Sequence, residues 1–173
     1  MTARENDGSG TFPPIVLTER MDFDSLAESI FEVHKSTVQQ TTGLDFSEVI
    51  SHDRKAIVLS RIISVLDPIF GTHFGSSPKD LFHDVFEQIS VFAEHLAKDH
   101  IFADGNKRTT VRVSLGLLAI QAIQLDIEDN PEPRKNEIYL WIQDLVTGRR
   151  TTMELSEYLR LHAKPIGEGD LFM

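Results

Sequence analysis

The sequence predicts an all-α fold, a compact bundle of about six helices around one buried central helix. Apolar residues recur at three- and four-residue intervals along most of the chain. Alternation of period two is scarce. The run from Val111 to Ile123 (VRVSLGLLAIQAI) is apolar nearly all round, the pattern of a helix covered on most sides.

Residues 1–14 are polar and rich in Gly and Pro, so they read as a flexible N-terminal tail. The folded domain then spans 15–163. A first helix is expected from Asp22 to about Gln40, on Phe23, Leu26, Ile30, Val33 and Val38, with Gly43 as its stop. A second runs from Ser47 to Leu66 and ends before Pro68. Ser77 and Pro78 form the cap and first position of a third, which carries Leu81, Val85, Ile89, Phe92 and Leu96 on one stripe. The central helix starts near Gly105-Asn106. Ile138, Leu140, Trp141, Leu145 and Val146 mark a fifth, closed by Gly148. Thr151-x-x-Glu154 is a capping box for a sixth, with Leu155, Leu159 and Leu161. Any strand pair is expected around Ile15–Leu17 or Gln124–Ile127. Residues 164–173 read as a C-terminal tail whose Leu171, Phe172 and Met173 can dock.

At 173 residues, 40% hydrophobic and 25% charged, the chain fits one globular domain with its own core. It contains no cysteine, which excludes disulfides, thiolate metal sites and a cysteine nucleophile. No apolar run reaches the ~18 residues of a membrane span, and no signal-peptide core opens the chain. The cytoplasm is the expected compartment, with no membrane association. A net charge of -10 argues against direct nucleic-acid binding.

Against that acidic background the run His100-Ile101-Phe102-Ala103-Asp104-Gly105-Asn106-Lys107-Arg108-Thr109 stands out. It places cations in the first turn of a helix, where the macrodipole disfavours them unless an anion is present. A helix start is itself an anion site. Gly105 allows close backbone approach. Asp104 is a hard oxygen ligand suited to magnesium beside phosphates. Histidine is the usual general base near neutral pH, so His100 can take a proton from a hydroxyl. Each residue also has a plainer reading: Asp104 as a helix cap, His100 as a loop histidine, Lys107 and Arg108 as solvated charges. Their joint occurrence at one loop–helix junction favours a phosphate site.

HIFADGNKR resembles the signature of the Fic/Doc superfamily, H-x-F-x-[D/E]-[G/A]-N-[G/K]-R, at every specified position. The segment from Val146 to His162 also resembles the C-terminal region of Doc (death-on-curing) toxins. The resemblance implies a general base at His100 and magnesium at Asp104. It implies phosphate contacts from Gly105, Asn106, Lys107 and Arg108, with Arg108 also stabilising the transferred group, and a structural Phe102. AMP-transferring Fic enzymes usually carry glycine where this chain has Lys107, and a further arginine where it has Val111. Both departures resemble the Doc branch, whose members pass the γ-phosphate of ATP to a protein hydroxyl. Arg112 follows one residue late, expected to be turned away from the site by about 100°. The implied substrate is elongation factor Tu. The implied partner is a small, separate, Phd-like antitoxin, since no built-in inhibitory motif follows Ser36 (Gln40 is followed by Thr41).

Three rival readings stand beside this one. A Fic-type adenylyltransferase would tolerate Lys107. A non-catalytic binding member would not need His100, Asp104 and Asn106. A metal phosphohydrolase would use the dipeptides His52-Asp53 and His83-Asp84 with His34 and Asp126. His95, Glu157, Arg160 and His162 are expected at the surface, and Trp141 in the core.

Overall fold

A computed structural model describes residues 12–45 and 47–167. Six longer helices carry the fold: α1 (Arg20–Gln40), α3 (His52–Phe70), α5 (Val85–Lys98), α6 (Asn106–Ile120), α7 (Glu137–Thr147) and α8 (Thr152–His162). Two single-turn helices, α2 (Ser47–Ile50) and α4 (Pro78–Leu81), and a 3-10 turn at Pro133–Lys135 complete the helical part. No helix among the described residues is long and apolar enough to cross a membrane.

Two expected helices are each split by a cap. Ser51 is extended and its side chain accepts the Arg54 N–H, so α3 starts afresh after α2. It also runs past Pro68 to Phe70, and forgoes one intrahelical N–H bond at that proline near its end. Asp84 does the same for α5, accepting the Glu87 N–H at 3.0 Å. The stripe that seemed to run from Leu81 into Val85 therefore crosses a break, and Leu81 is exposed.

α6 shares the interior with α5. α5 packs against α3, α6, α7 and α8, and α6 against α1, α5 and α7. α6 shows solvent Arg112, Gly116, Ala119 and Ile120, so an apolar composition did not mean burial on all sides. The buried Gln88 of α5 ties down the segment before α1: its amide accepts the Ile15 N–H and donates to the Ile15 and Ile69 carbonyls. Phe12 stacks edge-on against Phe86, within the stretch expected to be a tail.

The strand pair joins β1 (Ile123–Leu125) to β2 (Ala163–Pro165), antiparallel, with Gln124 opposite Lys164. The expected boundary at residue 164 thus falls inside β2, because Lys164 gains a strand partner and an ion pair with Asp126. Leu171, Phe172 and Met173 lie outside the described residues. On the α7–α8 seam, Trp141 lies between the Arg150 guanidinium, 3.7 Å from its ring, and Tyr158 at 4.9 Å. Thr151 and Glu154 form the expected capping box.

Candidate active site

The stretch from His100 to Thr109 joins the end of α5 to the first turn of α6, and its anchors lie beneath it. Ile101 and Phe102 are buried. His100 is exposed, with φ at 50°, a left-handed conformation. That costs a bulky residue roughly 1–3 kcal/mol and persists only where the surroundings enforce it.

Asn106 supplies part of the enforcement. Its Oδ1 accepts the Phe102 N–H at 3.0 Å and its Nδ2 donates to the Phe102 carbonyl at 2.9 Å. Its amide therefore shapes the loop, and any contribution to a ligand comes largely through that placement. The Phe102 ring lies flat on the imidazole of His34 from α1, centroids 3.8 Å apart and planes 10° apart. His34 is fully buried, with Nδ1 3.2 Å from the hydroxyl of Thr109. Burial lowers its imidazole to about 4 from the usual 6.5, against the opposing pull of the Asp104 charge, so it is neutral at pH 7.

Asp104 bridges two segments. One carboxylate oxygen accepts the Gly105 N–H at 2.8 Å, the other the Asp45 N–H at 3.1 Å. An ionised carboxylate has about four acceptor positions, so it retains capacity for a cation. A single half-exposed hard oxygen group fits magnesium, which is bound by one or two carboxylates plus phosphates and water.

Gly105 has φ at 74°, and a Cβ there would meet Val38 Cγ1 at 3.1 Å and Leu44 Cδ1 at 3.4 Å. The space it leaves is taken by α1 and Leu44, a packing requirement that the sequence reading assigned to a ligand. It also supplies no side-chain cap to α6, whose first turn is left suited to an anion.

Arg108 lines a cleft of about 520 Å³ together with Thr37 and Gln40 from α1, Val111 and Arg112 from α6, and Asn136 and Tyr139 beside and within α7. That volume is within the roughly 300–1,000 Å³ of small-molecule sites. Lys107 points its Nζ at the Tyr139 ring, 5.8 Å from the centroid. His100 and Asp104 lie outside the cleft walls.

Arg112 corrects one expectation. It lines the same cleft as Arg108 and donates to Thr37 Oγ1 at 2.8 Å and Ser36 Oγ at 3.4 Å. Four helical residues make one turn plus about 40°, so Arg112 stays on the face of Arg108.

The His-Asp dipeptides do other work. His52 and Asp53 are exposed at the start of α3. Asp84 caps α5 and accepts a two-pronged contact from Arg160, at 2.7 and 3.2 Å. Burial raises the Asp84 carboxyl, but its bonds from Arg160 and Glu87 outweigh that and hold it below the usual range. Arg160, expected as a plain surface residue, is thus a structural partner. Among the described residues no three His, Asp or Glu side chains converge as a metal cluster.

His34, Thr37 and Thr109 support the site in roles that sequence does not assign to them: from sequence His34 is a metal ligand of the phosphohydrolase reading, Thr109 is the end of the motif, and Thr37 has no role. A signal existed: Ile30, His34, Thr37 and Val38 share one helical face, so two polar residues sit on an apolar stripe. Buried polar groups need partners: His34 meets Thr109 of α6, and the Thr37 hydroxyl donates to the Val33 carbonyl of α1 while accepting from Arg112 of α6.

The helical scaffold sets a charged loop–helix junction beside a cleft. The model of the Fic/DOC family matches residues 23–118, more than half of the 173-residue chain, and the protein belongs to that family. It is accordingly a Fic-type transferase that moves a phosphate-containing part of a nucleoside triphosphate onto a protein target; enzymes of this family commonly use Mg2+. No curated protein and no solved structure matches the chain.

Proposed function

We propose that this enzyme transfers the γ-phosphoryl group of ATP to a hydroxyl of a protein target. The observation that carries this reading is Lys107. Where AMP-transferring relatives have glycine, this chain has a side chain that reaches Tyr139 on the cleft wall. A lysine there fills space that glycine would leave for phosphate, so the nucleotide sits differently. His100 takes the proton of the target hydroxyl. The freed oxygen attacks the γ-phosphorus, the bond to the β-phosphate oxygen breaks, and ADP leaves with that electron pair. Arg108 and Lys107 stabilise charge on the transferring group, and the α6 start with the Gly105 backbone cradles phosphate. Asp104 would hold magnesium, which when bound would neutralise phosphate charge. The Doc-like departures support a cytoplasmic toxin acting on elongation factor Tu and restrained by a separate Phd-like antitoxin.

Arg112 favours a second reading, AMP transfer, because it lines the cleft with Arg108 one residue after the position where AMP-transferring relatives carry their further arginine. ATP labelled at the α- or the γ-phosphate separates the two when incubated with purified elongation factor Tu and with a cell extract. γ-Label on protein, absent with His100→Ala, is the expected result. α-Label on protein would establish AMP transfer instead.

A further inference from the structure

We infer that His34 is a positioning residue for the His100 loop, holding it in register with α6 through its stack on Phe102 and its bond to Thr109. This deepens the proposed function and rests on His100 being the base.

The left-handed backbone of His100 needs an external hold. Two residues further on, Phe102 is gripped from both sides: Asn106 bonds its backbone N–H and carbonyl, and His34 covers its ring. The Asn106 grip belongs to the loop and helix themselves. His34 comes from α1, so it alone of the two ties the loop to a separate element. Its contact with Thr109 closes the arrangement, because Thr109 is in the first turn of α6, next to Arg108. The same imidazole thereby fixes the loop bearing the base and the helix turn bearing the charge donor. α1 adds a parallel tie one turn on, where Thr37 accepts from Arg112. His34 itself is fully buried, so it touches no substrate. A displacement of the base by about 1 Å is enough to cost a hundredfold in rate.

Two variants divide the contacts. His34→Phe keeps a ring on Phe102 and removes the bond to Thr109. His34→Gln keeps a polar group for Thr109 and removes the stack. The first measurement is hydrogen exchange of the full chain by mass spectrometry, without nucleotide. Exchange across residues 100–106 should rise about tenfold in His34→Gln and less in His34→Phe, while peptides of α8 stay unchanged. The second is label transfer from ATP, assayed below the melting temperature of each variant. The kcat should fall about thirtyfold in His34→Gln, with KM for ATP within threefold of the parent, and His34→Phe should recover part of the loss. Unchanged exchange at 100–106, or an unchanged kcat in a protein whose His100→Ala variant is inactive, would overturn the inference. Exchange that rises equally everywhere would also overturn it, since that is general destabilisation. If His100→Ala retains transfer, the proposed function fails, and the exchange result still decides whether His34 holds the loop.

Discussion

Two turns of this molecule force a bulky residue into the left-handed region, and they are supported in opposite ways. His100 has φ at 50° and Phe74 has φ at 51°. The His73–Ser76 turn is closed by two backbone bonds of 2.9 Å, with Gly75 also left-handed, a two-residue hairpin geometry that favours Asn or Gly at both centres. Phe74 gains nothing from its neighbours there, since its ring is wholly exposed. Among the described residues, no pair of backbone bonds of that kind closes the His100 turn. Its hold comes from buried Ile101 and Phe102, the Asn106 amide and the His34 ring. Strain at the hairpin is local and removable, whereas strain at His100 is built into the core contacts between α1 and α6.

The largest expected difference between the two turns is in activity. His100→Ala should reduce protein labelling by about a thousandfold, the range of a lost general base, with little change in melting temperature. An equal loss in Phe74→Ala would break the contrast. Next comes the pH dependence of stability. The folded-state value of His34, about 4, lies below the usual 6.5, so the unfolded chain binds the extra proton between them. Stability should therefore fall as pH drops from about 6.5 to 4, by on the order of 3 kcal/mol from this group. Urea unfolding at pH 7 and pH 4.5 measures it, and the slope should flatten in His34→Phe. Arg108→Ala should then lower transfer about a hundredfold, as when one donor to a developing charge is removed. The smallest effect belongs to the hairpin. Phe74→Asn should stabilise the protein by about 1 kcal/mol, a rise of roughly 2–4 °C in melting temperature, without altering transfer.

How far the sequence carried these conclusions depended on the range of the interaction. The start of α6 at Asn106, the Thr151–Glu154 capping box and the Gly148 stop rest on neighbouring residues, and all were legible. The breaks at Ser51 and Asp84 were also local, but periodic apolar residues on both sides hid them. β2 was hidden because its partner, β1, lies some forty residues earlier, and Ala163-Lys164-Pro165 has no strand pattern of its own. At the site, the residues of the motif were legible as a set. Its supports were not, because His34 is 75 residues from Thr109 and Arg112 is 75 from Thr37. A spacing rule fixes rotation about one helix, and it says nothing about how much of that helix an adjoining cleft embraces. The cleft embraces Arg108, Val111 and Arg112 together, so a step of one residue does not take Arg112 out of it.

The α7–α8 seam has a practical consequence. Trp141 is the chain's one tryptophan, and it is enclosed by Arg150 and Tyr158. α7 also carries Tyr139, the wall residue facing Lys107. The indole is thus a native fluorophore on a cleft-forming helix, with a phenol close enough to pass it excitation energy. Parting of α7 from α8 would strip Tyr158 from the indole and shift its emission to the red, so the protein can report this movement without an attached dye.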